Sequence, residues 1–121
     1  MRVDLLTATV ADLVNLLDMG SITSEQLIKA YLARIDENNQ KGLQLRAILE
    51  TPPIDCLLEE ARRCDLERRE GKVRGPLHGI PIVVKDNIAT DASLGMNTTA
   101  GSYALRTSFV VGTNDSWFGC S

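Results

Sequence analysis

The chain has 121 residues, a net charge of −3 at pH 7 and 44% hydrophobic residues, which is enough apolar material for one packed domain. The acidic balance argues against a nucleic-acid partner, because phosphate contacts need an excess of Lys and Arg. No apolar stretch approaches the length of a transmembrane helix, and we expect neither a secretory signal nor a membrane partner. The three cysteines, Cys56, Cys64 and Cys120, lack metal-ligand spacing, so we expect reduced thiols in a cytoplasmic protein.

Two short amphipathic helices are predicted first. Thr9 with Asp12 resembles a capping box, and Thr23 with Gln26 forms a better one. Gly20 stands just past the first helix, where a left-handed residue is common. The predicted apolar faces are Val10, Leu13, Val14 and Leu17 in the first helix, and Leu27, Ile28, Tyr31, Leu32 and Ile35 in the second.

A strand and a third helix are predicted in the middle of the chain. Residues 45–50 favour a short strand. Pro52 and Pro53 then favour a helix start, because proline is tolerated in the first helical turn, and Gly71 is expected to end that helix. Residues 59–74 carry many charges of both signs and predict a solvated helix surface. The expected apolar face contains Ile54, Leu57, Leu58, Ala61 and Asp65, and the expected i,i+4 pairs are Glu59 with Arg63 and Asp65 with Arg69.

The most informative stretch is residues 75–88, which read GPLHGIPIVVKDNI. The apolar, β-branched run within it, bounded by Gly and Pro, predicts a buried strand over residues 80–84. Lys85 follows that strand directly, where desolvation would favour a neutral amine that can act as a base. The alternative is a strand-end lysine that extends its ammonium group into water. Helices followed by strands predict a mixed α/β architecture.

Other polar residues give weaker signals. His78 lies in a turn and is expected to be structural, because the sequence has no G-x-S-x-G elbow to pair with it. Asp86 could hydrogen-bond Lys85 or serve as a turn residue. The backbone of residues 98–102 could donate N–H groups to an anion or a carbonyl, or could begin a helix. The serines that could be nucleophiles but lack a recognisable elbow are Ser93, Ser102 and Ser108.

Several segments together resemble the amidase signature family, over about residues 5–105. They are residues 74–81, 84–88 and 95–102, with further similarity at 21–24, 30–35 and 66–68. The lysine motif in its Gly/Pro frame is far more specific than a lone Gly-rich loop. The resemblance implies helices packed around one large mixed sheet, with residues 80–84 as a central strand.

The resemblance also implies an activity, the hydrolysis of carbon–nitrogen bonds in amides by a Ser–Ser–Lys triad. Lys85 matches the catalytic lysine of the family, which takes a proton through a bridging serine held by a cis peptide. The nucleophilic serine then attacks the amide carbonyl and forms an acyl-enzyme, which water hydrolyses. A small-molecule amide substrate is implied, and neither a cofactor nor a metal.

The sequence departs from the family pattern after residues 98–102. In the family both serines lie downstream of that segment in a Gly/Ser-rich stretch, which this sequence does not contain, so no serine here is given either role. We therefore expect residues 1–105 to be the N-terminal part of an incomplete amidase signature domain, followed by a divergent tail over 106–121. Such a fragment is expected to be inactive alone and prone to aggregation. The alternatives are a non-catalytic interaction module and the product of a mispredicted reading frame.

Overall fold

Three helices make up the regular structure of the computed structural model, which describes residues 3–85 and residue 88. In chain order they are α1 (Val10–Asp18), α2 (Ser24–Asn38) and α3 (Ile54–Arg69). Together they are called the helical layer below. The described residues contain no β-strand.

The helix starts and stops agree with the local sequence signals. The Thr9 side chain accepts from the backbone N–H of Asp12, and the Asp12 carboxylate accepts from the backbone N–H of Thr9 at 2.9 Å. Thr23 and Gln26 make the same reciprocal pair at 3.1 Å in both directions. Both predicted capping boxes are thus confirmed, and the hydrogen bonds to Thr9 lower the pKa of Asp12. Gly20 adopts the left-handed conformation expected of it (φ 69°).

The third helix is also confirmed. It begins directly after Pro53 and ends before Gly71, whose φ of 75° lies in the left-handed region. Asp55 lies in its first turn, and Arg68 and Arg69 lie in its last turn. Each sign of charge therefore complements the helix dipole at its own end.

The core formed by the described residues is small and lies where the helices meet. α2 packs against α3, and the buried apolar side chains are Leu13 and Leu17 of α1, Leu27 of α2 and Ala61 of α3. The predicted apolar faces are buried only at these inner positions. Val10 and Ile54, at the starts of their helices, are exposed.

The strand predicted over residues 45–50 is not formed. Gln44 and Arg46 have φ values of 49° and 48°, which no strand residue adopts. The amides of Leu45 and Arg46 donate to the carbonyls of Asn38 and Asn39 at 2.9 and 2.8 Å. This segment therefore satisfies the open carbonyls at the end of α2 instead of pairing with a strand.

The strand predicted over residues 80–84 is not formed either. Ile82 and Val83 are 52% and 76% exposed, where burial was expected. A strand needs a neighbouring strand to bond its backbone, and none lies beside this segment among the described residues. The α/β prediction is therefore correct for the helices of the described part and wrong for its two strands.

None of the three helices in the described part of the chain has the length and apolar character needed to cross a bilayer. Cys56 is disulfide-bonded and Cys64 is free. The expectation of reduced thiols is thus wrong for Cys56, and it no longer supports a cytoplasmic location.

Candidate functional site

Lys85 lies at the end of an extended segment that leaves the helical layer. The residue is exposed, and its carbonyl accepts the backbone N–H of Ile88 at 2.9 Å. The burial predicted for Lys85 is therefore not found among the described residues. The reason is the same as for residues 80–84, because a strand end becomes buried only when neighbouring strands cover it.

The chain just before that segment is held firmly. Residues 75–79, here called the anchor loop, carry the buried ring of His78, whose side chain is 1% exposed. Its Nε2 lies 2.9 Å from the carbonyl oxygen of Cys64 in α3, so Nε2 donates to that carbonyl. Its Nδ1 accepts the backbone N–H of Arg74 at 3.4 Å. The prediction that His78 is structural is confirmed.

Arg68 makes a second attachment from α3 to the anchor loop. Its Nη2 donates to the carbonyl of His78 at 2.8 Å. The same guanidinium forms an ion pair with Asp18 at the end of α1. One mostly buried arginine thus joins the first helix, the third helix and the anchor loop.

A third attachment is the ion pair between Arg74 and Glu67. It is bidentate, with Nε to Oε2 at 2.8 Å and Nη2 to Oε1 at 2.5 Å. The hydrogen bond from Arg74 lowers the pKa of Glu67, and the same bond raises the pKa of Arg74. This planar pairing fixes the start of the anchor loop in direction as well as in distance.

Gly79 ends the anchor loop in close contact with α2. Its φ is 79°, and a Cβ added there would collide with the Oγ of Ser24. Ser24 is the first residue of α2 and is buried. Only glycine satisfies both the left-handed backbone and this close approach.

Asp65 connects α3 to the start of α2. Its carboxylate accepts the backbone N–H groups of Ser24 and Glu25 at 2.7 and 3.2 Å. It therefore satisfies two of the open amides at the helix N-terminus and complements the dipole of α2. The predicted partner, Arg69, is not among its contacts in the described residues. The other predicted pair also differs, because Arg63 bonds Glu60 at 2.7 Å.

The sequence pattern indicates His78 and Lys85 but does not reveal the groups that hold the anchor loop, which are Glu67, Arg68 and Arg74. One signal was available. Ala61, Asp65 and Arg68 are spaced i, i+4 and i+7, so they share one helix face with the core. Charged residues that continue a buried face indicate buried polar contacts rather than a solvated surface.

The described residues contain no cluster of His, Cys, Asp or Glu that could hold a metal ion. The remaining sequence candidates lie outside the described residues: Asp86, Ser93, Ser102, Ser108 and the segment 98–102. The described site is therefore a loop attached to α3 by polar contacts and followed by an exposed lysine.

Solved structures with this arrangement of helices and loop define its class. A peptide amidase from Stenotrophomonas maltophilia is 46% identical, with a TM-score of 0.75 over 84% of this chain and 20% of that chain. An amidase family protein from Bacillus anthracis is 36% identical, with a TM-score of 0.77 over 91% of this chain and 21% of that chain. The described helices are thus those of an amidase-type fold.

Sequence comparison leads to the same family. One subunit of the glutamyl-tRNA(Gln) amidotransferase of Chloroflexus aurantiacus is 45% identical over 100 residues, which are 83% of this chain and 19% of that protein. The sequence model of the Amidase family matches residues 26–116. The chain belongs to the Amidase family. It spans between 13% and 21% of the length of the relatives it matches.

Proposed function

We propose that this chain contributes the catalytic lysine, Lys85, to an amidase that hydrolyses carbon–nitrogen bonds by a Ser–Ser–Lys mechanism. The observation that carries the proposal is the family match over residues 26–116, which includes Lys85 in its Gly/Pro frame. The anchor loop supports it, because seven residues before Lys85 the chain is attached to α3 by buried polar contacts.

The role proposed for Lys85 requires a neutral amine near the bridging serine. The exposed lysine of the described residues has no such surroundings, so the proposal needs further chain to cover residues 80–85. Neighbouring strands would bury the amine and favour its neutral form. No serine of this sequence is assigned as the nucleophile or the bridge, and we expect the 121-residue chain alone to give no turnover.

A chimera tests the proposal. Residues 1–105 of this chain replace the matching segment of the peptide amidase from S. maltophilia, and hydrolysis of a substrate of the parent enzyme is measured. We expect turnover, and we expect Lys85→Ala to lower kcat/KM by about a thousandfold, in the range of a lost proton-transfer group. Lys72→Ala is the matched control, because Lys72 is an exposed lysine that pairs with Glu70 in a surface contact.

Two results would contradict the proposal. One is a chimera in which Lys85→Ala leaves kcat/KM unchanged, and the other is an equal loss in both lysine variants. The 121-residue chain alone is assayed in parallel. Turnover by it that depends on Lys85 would support the catalytic lysine but overturn the expectation that the chain is inactive by itself.

A non-catalytic interaction module is the second candidate. The observation that favours it is the run of exposed apolar side chains that joins α2 to α3, including Leu43, Leu45 and Leu49, since exposed apolar patches indicate interaction surfaces. A partner that co-purifies in stoichiometric amount and is lost on Leu45→Ser and Leu49→Ser would support this function. A monomer that purifies alone would argue against it.

Two further predictions complete the proposal. The chain is expected to act in the cytoplasm, which fractionation of cells with an antibody to this chain would test.

The alternative that the chain is the product of a mispredicted reading frame is tested by sequencing the transcript across codon 106. An abundant transcript that encodes all 121 residues in one frame would contradict it.

A further inference from the structure

We infer that His78 is a positioning residue for Lys85: it fixes the direction in which residues 80–85 leave the helical layer. The inference rests on the proposed role of Lys85, and it adds a residue that holds the lysine segment without taking part in proton transfer.

A single turn of α3 contacts His78 at two points. The ring donates through Nε2 to the carbonyl of Cys64 at 2.9 Å. Four residues later, Arg68 donates through Nη2 to the carbonyl of His78 at 2.8 Å. One contact limits only a distance, but two contacts on opposite ends of a residue also limit its orientation.

Both ring nitrogens of His78 are engaged in hydrogen bonds. Nε2 donates to a carbonyl, which can only accept, and Nδ1 accepts the backbone N–H of Arg74. The ring is also buried. Two charged residues lie near the ring. Glu67 of α3 is 3.9 Å from Nε2, and it pairs with Arg74, which directly precedes the anchor loop. Both ring nitrogens of His78 are thus used in structural hydrogen bonds, and the one made by Nε2 attaches the anchor loop to α3.

Among the described residues, the anchor loop makes the last attachment to the helical layer before Lys85. Gly79 packs against Ser24 of α2, and the amide of Ile80 donates to the carbonyl of Leu77 at 3.0 Å within the loop. From Ile82 to Lys85 the described residues make no hydrogen bond to the helical layer. The orientation of the anchor loop therefore sets the path of the lysine segment.

The test measures orientation and local opening in the 121-residue chain by NMR. Residual dipolar couplings of the Gly79, Ile80 and Ile82 amides report whether these residues share the alignment of α3. Amide hydrogen exchange at Ile80 reports opening of the loop, and exchange at Ile48, which is bonded to Asn39 at 3.0 Å, reports opening elsewhere.

His78→Leu is the main variant. We expect the dipolar couplings of Ile80 and Ile82 to shrink at least about twofold, and exchange at Ile80 to accelerate about tenfold or more, as for the loss of a buried hydrogen bond. Exchange at Ile48 should stay unchanged. His78→Gln should restore most of both signals, because its Nε2 stands the same number of bonds from Cβ as the donor of histidine. Leu77→Ala, an exposed neighbour in the same loop, is the control without effect.

The inference is overturned if His78→Leu leaves the couplings unchanged. It is also overturned if exchange at Ile80 and Ile48 accelerates equally, because His78 would then contribute only global stability. If His78→Leu does not fold, Arg68→Met removes the second contact instead, and Asp18→Asn controls for the ion pair that Arg68 also loses. The couplings are independent of activity, so a failed turnover assay overturns the proposed function while the orientation result stands.

Discussion

The anchor loop and the connection between α2 and α3 differ in how they contact the helices. The anchor loop has few apolar side chains to bury, and it is held by buried polar groups of α3 that match its own backbone and ring. The connection places Leu43, Leu45 and Leu49 at 73%, 63% and 74% exposure. Polar groups therefore determine the structure next to Lys85, while the apolar side chains of the connection lack a surface to cover them among the described residues.

This contrast shows which part of the fold is complete within the described residues. A hydrogen bond is satisfied by one partner, and the partners of the anchor loop lie close by on α3. Apolar burial needs an extended surface, because its free energy grows with the area removed from water. The described core of four side chains is too small to supply that area, so we expect low stability for the chain alone.

The largest expected effect is at the contact between the anchor loop and α2. Gly79→Ala would place a Cβ on a left-handed residue and against the Oγ of Ser24. We therefore expect the free energy of unfolding to fall by about 3 kcal/mol, from backbone strain and overpacking together. Urea unfolding followed by far-UV circular dichroism measures it.

Gly20→Ala is the matched control, because Gly20 has a φ of 69° but nothing within 4 Å of an added Cβ. Gly20→Ala should lower the free energy of unfolding only by the strain of a left-handed backbone, about 1 kcal/mol. Equal losses at the two glycines would show that the contact with Ser24 contributes nothing. Ser24→Gly in the Gly79→Ala background should recover part of the difference.

The second effect concerns the attachment of α3 to the start of α2. Asp65→Ala leaves two amides of α2 without their charged acceptor, so we expect a loss of about 2 kcal/mol, as for hydrogen bonds to a charged group. Asp36→Ala is the control, because Asp36 is exposed and lies 3.7 Å from Lys41 in a surface pair. If Asp65→Ala lowers the free energy of unfolding no more than Asp36→Ala does, Asp65 does not cap the N-terminus of α2.

These two contacts show what the sequence could and could not predict. The capping boxes were predicted because their partners stand three residues apart, as with Thr9 and Asp12. Asp65 bonds amides 41 and 40 residues away, and no local pattern contains that information. The predicted strand over 80–84 and the burial of Lys85 failed for a related reason, since both depend on strands that the described residues do not include.

The third effect tests the connection between α2 and α3. The Asn39 side chain donates to the carbonyl of Ile48 at 2.7 Å and accepts its N–H at 3.0 Å, as a neighbouring strand would. Asn39→Ala should lower the free energy of unfolding by about 1 kcal/mol and raise hydrogen exchange at Ile48 more than at Ile80. Asn15→Ala on the exposed face of α1 is the control. Equal exchange at Ile48 and Ile80 would show that the connection and the anchor loop open together.

The smallest effect is at the surface and depends on pH. Hydrogen bonds from Arg62 and then Lys29 lower the pKa of Glu25 from 4.5 to about 2. Because the pKa of Glu25 is lower in the folded chain than in the unfolded chain, the ionised carboxylate stabilises the folded chain at pH values above about 4.5. This stability is lost as the pH falls from about 4.5 to about 2. The unmodified chain should therefore be slightly more stable than Glu25→Gln at neutral pH, and this difference in stability should vanish near pH 2.

Thermal unfolding of both chains across this pH range measures the effect of Glu25. Glu25 is a surface group, so the difference should be small and should shrink further in high salt, which screens exposed ion pairs. Glu37→Gln serves as the control, because its contact with Arg34 is long, at 3.9 Å. A difference that persists at pH 2 would mean that Glu25 acts through packing. The ion pair of Glu25 with Arg62, which joins α2 to α3, would then add nothing to the buried attachment made by Asp65.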